Sequence, residues 1–550
     1  MTDNASSISD KIVDRRQPSD IVEPPTRFST IVRQIGPGLI IAANIVGSGE
    51  LVMTTKTGAE AGISLLWLII VGCLVKVFVQ LELGRFTISH GETTLTSLNH
   101  VPGPRIAGVN WVVAVWGIMM VATIGQLGGI VGGVGQALAI TFPLTGDYRD
   151  AVAMPAEKDI LSYAEWKKSG TPESLSEQDA ARFERQMIWV AEDLERLGER
   201  GETILDLATR GEALVDGDGQ TLVDPVTTDD RNWVIIIGVL TAALLFVGRY
   251  GAIEKVSVVL VVSFTLITIG NVIALQSTKY AISGSQILQG LSFGLPGTKG
   301  ALLTALAAFG IIGVGATELI SYPYWCLEKG YARSAGPRDE SEAWHRRAAG
   351  WFRVMEFDAF ASMVIYTAAT AAFFFLGVAV LHSEGRNPEG TRMVSTLAQS
   401  YVPIFGEYAK WLFLSGAIAV LYSTYLVANA GNARMIADFI GVIGLSSKDN
   451  DSPQRKKLVR TLSTLLPLAC VGAFLLFQEA PVTLIVIAGL TQAVMLPILA
   501  FSAMYFRHNI TDRRLHPGKL WDFALAISSL ALLIAGLWGS YKALEKFIAL

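Results

Sequence analysis

Two apolar segments of the chain contain nearly the same six residues, V-G-S-G-E-L at 46–51 and V-G-A-T-E-L at 314–319. Each places a carboxylate, Glu50 or Glu318, beside small residues within a run long enough to cross a membrane. Backbone groups that a break in a helix leaves free cannot be satisfied by lipid, so such breaks persist only beside a cavity or inside protein. We therefore expect both helices to be broken, with 47–49 and 319–323 non-helical.

The composition is that of a membrane protein. The chain has 550 residues, of which 51% are hydrophobic and 17% are charged, and its mean hydropathy is +0.44. Apolar runs of roughly 20 residues, enough for a helix to cross about 30 Å of hydrocarbon, occur eleven times. They lie near 35–58, 62–84, 110–141, 232–248, 253–275, 299–326, 355–381, 405–440, 459–477, 481–506 and 521–542. The sequence thus predicts an all-α membrane protein with about eleven spans.

These spans divide the chain into four predicted parts. They are a disordered cytosolic tail at 1–34, spans one to three at 35–143, an acidic insert at 144–230, and spans four to eleven at 231–550. The tail is polar, which argues against a cleavable signal peptide. Cys73, Cys326 and Cys470 all lie in apolar runs, so no disulfide framework is predicted.

The distribution of Lys and Arg predicts the orientation in the membrane. Basic residues cluster in the tail and in three loops, at 329–353, 448–460 and 507–519. With eleven spans, all four clusters fall on one side, which the positive-inside rule assigns to the cytoplasm. We expect a multi-pass protein of the cell (inner) membrane, with the N-terminus inside and the C-terminus and the insert outside.

The insert differs in charge from the rest of the chain. It holds 21 acidic and 9 basic residues, a balance of −12 against −4 for the whole chain. Apolar residues at helical spacing between Ser174 and Val215 predict a helical hairpin, broken at Gly198 or Gly201. The insert is either a cap that attracts cations or a solvated addition to the transmembrane part.

The two similar segments fall in spans one and six, which an inverted repeat of five plus five spans would relate to each other. Glu50 and Glu318 would then face one cavity, with one carboxylate protonated while the site is empty. Cation binding would release that proton, which is a route to symport. The structural alternative is that each Glu is buried against a lysine or backbone N–H groups. Lys56 and Glu60 are expected at an interface, and Lys76, Glu82 and Asp358 are expected to anchor helix ends.

Several short motifs resemble the Nramp (natural resistance-associated macrophage protein) family of divalent-metal transporters. They are Gly36-Pro37-Gly38, the stretch from Gly58-Ala59 to Trp67, Arg249-Tyr250-Gly251, Gly315-Ala316-Thr317, Phe357-Asp358, Gly431 and Leu496-Pro497. This resemblance covers most of the chain outside the insert. It implies a LeuT-type fold of two inverted five-helix repeats.

The residues that bind metal in that family are mostly replaced here. Its first-span signature Asp-Pro-Gly-Asn falls on 47–50, so glycine replaces the aspartate and Glu50 replaces the asparagine. Its sixth-span signature Ala-x-x-Met-Pro-His falls on 316–321, where Leu319 replaces the methionine and Ser321 the histidine. Only the Ala316 carbonyl is retained. In span three, Gln126 and Gly129 stand where the family places acids for proton movement, whereas Arg460 in span nine matches.

A site without methionine, histidine or cysteine loses its preference for soft metals, and its oxygen donors suit hard cations such as Mg²⁺. We therefore expect a secondary transporter of Mg²⁺ or Mn²⁺, with Glu50 and Glu318 as metal ligands. The predicted substrate-binding residues are Gly47, Ser48, Glu50, Gln126, Ala316, Thr317, Glu318, Ser321 and Tyr322.

Two other functions remain open. The aromatic residues Tyr322, Tyr324 and Trp325 beside a carboxylate would suit an organic cationic or zwitterionic solute. A non-transporting receptor would work through the insert. No nucleophile–base pair or phosphate loop indicates an enzyme. The expected partners are a small ion or small molecule and the lipid bilayer, without nucleic acid or a resident cofactor, and the protein is expected to be monomeric.

The predicted orientation is testable by cysteine labelling. A cysteine placed at Ser176 in the insert is expected to react with a membrane-impermeant maleimide added outside intact cells. A cysteine at Ser341 is expected to stay unmodified, because its loop is predicted to be cytoplasmic. The measurement is the mass shift of the labelled protein. Modification at position 341 alone would reverse the assigned orientation.

Overall fold

The computed structural model describes residues 18–106, 108–217, 219–248, 251–296, 300–447, 452–477 and 481–548. Nine helical stretches of these residues are long and apolar enough to cross a membrane. One of them, Gly49–His90, contains the end of span one and all of span two, and a shorter apolar helix, Val259–Leu275, belongs to span five. All eleven predicted spans are therefore helical.

The spans have the following bounds. Span one is Pro37–Ile45, Val46–Thr54 and Thr55–Ala61; span two is Leu66–Leu74 and Lys76–His90; span three is Trp111–Thr141; span four is Asp229–Val247; span five is Gly251–Leu275; span six is Ala301–Ile311 and Ala316–Lys329; span seven is Glu342–Leu376; span eight is Ala409–Val442; span nine is Pro453–Leu476; span ten is Pro481–Asn509; span eleven is Lys519–Ile548.

Short elements connect the spans. They are the helices Phe28–Gln34, Thr94–Leu98, Asp147–Ala151, Gly284–Gly290, Tyr331–Ala335, Met393–Gln399 and Val402–Phe405, the single turns Pro18–Asp20, Gly62–Leu65, Gly390–Arg392, Gly406–Tyr408 and Arg513–Leu515, and the wide turn Gly377–His382 that ends span seven. The strands Arg105–Ile106 and Val109–Asn110 pair antiparallel. Span three packs against spans four, eight, nine and ten, and the first half of span six packs against span ten.

Span six is broken, but not where the sequence predicted. Its first half ends at Ile311 and its second half begins at Ala316, so Leu319 to Pro323 is helical and that prediction is wrong. Gly313 has a φ of +58°, a conformation that L side chains rarely adopt, and it turns the chain out of the helix. Pro323 lies inside the second half-helix, where neighbouring helices can satisfy the backbone group that a proline leaves free.

Span one remains helical through the segment predicted to unwind. Residues Val46–Thr54 form a π-helix, so the prediction that 47–49 is non-helical is wrong. Wide turns of this kind leave backbone groups partly free and are common at functional sites. The Thr54 hydroxyl donates to the Gly49 carbonyl at 3.0 Å and so satisfies one of these groups. Glycine here loosens the helix without ending it.

The start of span one is held by a carboxylate of span seven. The backbone N–H groups of Gly36 and Gly38 donate to the two carboxylate oxygens of Asp358, at 3.0 and 2.6 Å. The Tyr322 hydroxyl of span six donates to the same carboxylate at 3.1 Å. An anion at a helix N-terminus satisfies free N–H groups and complements the helix dipole. Asp358 therefore joins spans one, six and seven.

The insert is a small helical unit with its own core. The helices Glu157–Ser169, Glu177–Arg196 and Glu199–Arg210 pack around buried residues that include Ile160 and Val190. The turn between the last two helices lies at Gly198, one of the two positions expected from the sequence, where φ is +58°.

The insert contacts the transmembrane part through an ion-pair network. Lys158 pairs with Glu389 in the loop after span seven, and Glu389 pairs at 3.0 Å with Lys56 of span one. Burial opposes ionisation of Glu389, but the charges of Lys56 and Lys158 outweigh it and lower its pKa. A cavity of about 1,770 Å³ between the insert and the spans is lined by both acidic and basic side chains. The cavity beside the insert therefore does not have the mainly acidic lining that a cap attracting cations would have.

The predicted tail is partly structured, and the expectation of a disordered segment up to residue 34 is wrong for its described part. Phe28–Gln34 is a helix. The Val22 N–H donates to the Ser334 carbonyl at 3.1 Å, and the Trp351 indole donates to the Val22 carbonyl at 2.9 Å. These contacts with the rest of the fold compensate for the low hydrophobicity that suggested disorder. The other tail residues, 1–17, lie outside the described part.

Candidate functional site

A small polar cavity lies beside the break in span six. Its volume is about 20 Å³, room for about one water molecule. Spans one, three, six and eight supply its lining, which is Asn44, Ile45, Thr123, Gln126, Leu127, Ile130, Ile311, Thr317, Glu318, Thr424, Ala428 and Asn432. Only Glu318 among these carries a charge, and it lies in the first turn after the helix restarts.

Several polar atoms of the cavity lack partners among the described residues. The Asn44 amide donates to Glu318 Oε1 at 3.1 Å, which leaves its own oxygen, Oδ1, without a hydrogen bond. The Thr317 hydroxyl and the Asn432 amide nitrogen are also buried and unpartnered. A buried polar group without a partner costs free energy, and native proteins seldom leave several together. The cavity therefore suits a ligand that accepts a hydrogen bond from the Asn432 amide and contacts the oxygens of Asn44 and Thr317.

Hydrogen bonds between amides fix the wall of the cavity. Gln492 of span ten donates to Gln126 Oε1 at 2.8 Å and accepts from the Thr317 N–H at 3.3 Å. A Cβ added at Gly315 would lie 2.6 Å from Glu318 Oε2 and 2.9 Å from Gln492 Oε1. Glycine at position 315 thus lets both side-chain oxygens approach the backbone where the second half-helix begins.

The Ile312–Gly313 peptide group lies between two charged side chains at the break. Its carbonyl accepts from the Lys76 ammonium of span two at 2.8 Å, and its N–H donates to Glu50 Oε1 at 3.1 Å. Lys76 also donates to the Phe309 carbonyl, and Thr370 of span seven donates to Glu50 Oε1 at 2.8 Å. The other Glu50 oxygen has no hydrogen-bond partner in the described structure. The carbonyl and the N–H of this peptide group therefore both have hydrogen-bond partners on ionisable side chains.

A family profile matches residues 225–545, and its description is natural resistance-associated macrophage protein-like, Nramp. The chain belongs to the Nramp family. No curated protein has a significant match to it. Two solved structures with a similar fold are mutant forms of the manganese transporter of Eremococcus coleocola. They are 13% and 12% identical to this chain, each covers 96% of it over 89% of its own length, and both have a TM-score of 0.50.

At such low identity the similarity shows the fold alone. This Nramp chain is an all-α, multi-pass membrane protein with the LeuT-type fold expected from the sequence.

The predicted site residues separate into two groups. Gln126, Thr317 and Glu318 line the cavity. Glu50 is fully buried and accepts a hydrogen bond from the Gly313 N–H at the break, as in the structural alternative stated above. It does not line the cavity. Two of the other residues have structural positions: Ala316 begins the second half-helix, and Gly47 packs on Thr424. The Ser321 hydroxyl donates to the Glu318 carbonyl at 3.4 Å, and the Tyr322 hydroxyl donates to Asp358. The side chain of Ser48 lies outside the described residues.

Sequence reasoning missed Asn44, Thr424, Asn432 and Gln492, and it did not connect Lys76 with the break in span six. Each is a polar side chain within an apolar helix, and such residues usually face the protein interior or a cavity. That signal was present for Asn44 and Asn432. Lys76 was expected to anchor a helix end, and it does so on another span.

Gly47 and Leu319, which the resemblance aligns with metal ligands of the Nramp family, do not line the cavity. A methyl group added at Gly47 would overlap the Thr424 hydroxyl, so an aspartate does not fit without movement of span eight. Leu319 is fully buried in the hydrophobic core and does not line the cavity. No group of three His, Cys, Asp or Glu side chains that could hold a metal occurs within the described ranges.

Close packing at Gly47 leads to a stability prediction. Gly47→Ala is expected to lower the melting temperature of the purified protein, with a cost of about 1–3 kcal/mol for overpacking. Gly431→Ala in span eight is the matched control, because its added Cβ would lie 3.7 Å from the nearest atom, Trp325 Cζ2. The control is expected to melt no lower than wild type. Equal melting temperatures for the two variants would contradict the contact with Thr424.

Proposed function

We propose that this protein is a secondary active transporter of a hard divalent cation, Mg²⁺ or Mn²⁺, and that the cavity at the break in span six is its substrate site. The observation that carries this proposal is the donor set: Glu318 beside unpartnered oxygens of Asn44 and Thr317. The fold of the manganese transporter from Eremococcus coleocola supports a cation as substrate class.

The lining chemistry favours a hard cation over a soft one. Oxygen atoms and one carboxylate suit Mg²⁺ and Mn²⁺, whereas thioether, thiolate and imidazole select softer metals. The unpartnered Asn432 nitrogen is a donor and cannot bind a cation directly. It can donate to a water molecule that the cation retains, and Mg²⁺ usually keeps several waters.

The organic-solute alternative has less support. A cavity of about 20 Å³ would have to expand many times to hold a drug-sized molecule. The aromatic residues that suggested an ammonium site are engaged elsewhere: the Tyr322 hydroxyl donates to Asp358 and the Tyr324 hydroxyl to Asp438. The receptor alternative has no specific observation in its favour, since the insert contacts the spans through ordinary ion pairs.

In this proposal the carboxylates have different roles. Glu318 contacts the cation, and Glu50 contributes charge from the other side of the break. Glu50 accepts from the Gly313 N–H at the break, and Glu318 lies in the first turn of the second half-helix. A cation bound at Glu318 would lie in the negative field of both carboxylates. One carboxylate would hold a proton while the site is empty and release it when the cation binds. We propose that this release couples substrate binding to protons in symport.

Cation binding can be tested without transport. Mg²⁺ and Mn²⁺ are expected to raise the melting temperature of the purified protein in a saturable way, while Cd²⁺ gives no larger effect. At a concentration of 100 Kd the stabilisation is about 2.7 kcal/mol. The measurement is a thermal melt in detergent with chelator-treated protein. Stabilisation by Cd²⁺ alone, or by an organic ammonium compound and no divalent cation, would contradict the proposal.

Removal of the cavity carboxylate should weaken transport. Glu318→Gln is expected to reduce divalent-cation uptake into proteoliposomes at least about tenfold, because a hydrogen-bonded charged contact is worth about 1.5–3 kcal/mol. Glu328→Gln is the control: it lies in the same helix, is 45% exposed and pairs with Arg434. The control is expected to transport normally. Wild-type uptake by the Glu318 variant would exclude this cavity as the substrate site.

A further inference from the structure

We propose that Lys76 is a fixed counter-charge for Glu50, and that it thereby determines how tightly the site binds a divalent cation. This inference rests on the proposed function, because the cation site it concerns is the cavity at Glu318. Lys76 would then act on the substrate through charge and not through contact, since it does not line the cavity.

Lys76 is a lysine in the interior of a membrane-spanning helix. Its side chain has no exposed surface, and its ammonium donates to the carbonyls of Phe309 and Ile312 at 2.5 and 2.8 Å. It also lies 4.9 Å from the centroid of the Phe309 ring. Carbonyls and an aromatic face solvate an ammonium but do not neutralise it. Charged side chains within membrane spans pair with backbone carbonyls or with one another, and only a partner of opposite sign cancels the charge.

The carboxylate partner of Lys76 is Glu50, and both side chains bond to the same peptide group. The Ile312 carbonyl faces Lys76, and the N–H of the same peptide group, on Gly313, faces Glu50. In a trans peptide these two groups point in opposite directions, so the ammonium and the carboxylate lie at the two ends of one peptide dipole. Each charge meets the end of the dipole that attracts it, and hydrogen bonds in such a chain strengthen one another.

The net charge beside the cavity follows from this arrangement. Lys76 and Glu50 bond to the same peptide group, and Glu318 lies in the first turn of the half-helix that follows it. When both carboxylates are ionised, two carboxylates and one ammonium leave a single negative charge to attract the cation. Without Lys76 the cation would meet two negative charges, and without Glu50 it would meet none. Charge at a buried site acts strongly because the surroundings screen it weakly.

Uptake of Mn²⁺ into proteoliposomes by four proteins tests the proposal. Lys76→Met is expected to lower KM about tenfold and Glu50→Gln to raise it about tenfold, the size of change that one interaction of typical coupling strength produces. The double variant is expected to return to within about threefold of the wild-type KM. If Lys76 only supported the backbone, the KM values would not shift in opposite directions and the double variant would be the most impaired.

Two matched variants separate charge from packing. Lys76→Arg keeps the positive charge, so its KM is expected to stay within about threefold of wild type even if its melting temperature falls. Lys56→Met removes another buried lysine, one that pairs with Glu60 and Glu389, and its KM for Mn²⁺ is expected to stay within about twofold. A changed KM in Lys56→Met equal to that of Lys76→Met would overturn the assignment. Should Lys76→Met fail to fold, an unchanged KM in Glu50→Gln would also overturn it.

A second readout does not depend on transport. Melting temperatures of the same four proteins without any divalent cation form a double-mutant cycle for the Lys76–Glu50 pair. The two single variants are expected to melt lower than wild type, and the double variant higher than the sum of the two losses predicts. Additive losses would overturn the pairing. Coupling in the melts together with a wild-type protein that transports no Mn²⁺ or Mg²⁺ would instead count against the proposed function alone.

Discussion

The structure depends on how the backbone groups freed at the break in span six are satisfied. Lipid offers them no hydrogen bonds, and a buried peptide group left without a partner is costly. Lys76 donates to two carbonyls at the end of the first half-helix, and Glu50 accepts from the N–H of Gly313. Glu318 lies in the first turn of the second half-helix, where the dipole favours a negative charge. The charges and the break therefore stabilise each other.

The second half of span six is held in place along its length. The Thr94 hydroxyl donates to the Ile320 carbonyl at 2.8 Å, and the Tyr324 hydroxyl donates to Asp438 at 2.5 Å. Arg455 of span nine pairs with the other oxygen of Asp438 at 3.2 Å. These contacts orient Glu318 and Thr317 toward the cavity without contributing to its lining. They also explain why the aromatic residues after the break are structural, since their hydroxyl groups already bind buried carboxylates.

This member of the Nramp family has a broken helix beside a small polar cavity. The Thr424 hydroxyl occupies the space where a side chain at position 47 would lie, and it donates to the Asn44 carbonyl at 2.8 Å. Leu319 packs in the core and the adjacent Glu318 lines the cavity in its place. In the site we propose, the cation ligands are oxygen atoms, one of them from the Glu318 carboxylate. Its preference for a hard metal would come from these ligands and not from the fold.

The sequence by itself determined the apolar helical segments of the spans, the helical insert and the presence of a break in span six. Those features follow from local properties: apolar runs as long as a bilayer is thick, and glycines that weaken a helix. It placed the break at 319–323, several residues too late, because it cannot show that Gly313 adopts a positive φ. It also cannot show that the adjacent Ile312 carbonyl and the Gly313 N–H are bonded by Lys76 and Glu50 from other spans. It also could not tell that Glu318 lines the cavity while Glu50 does not, or that Asn44 and Asn432 do. Which side chains meet around a cavity is set by how four separate spans pack, and no local pattern in the chain contains that information.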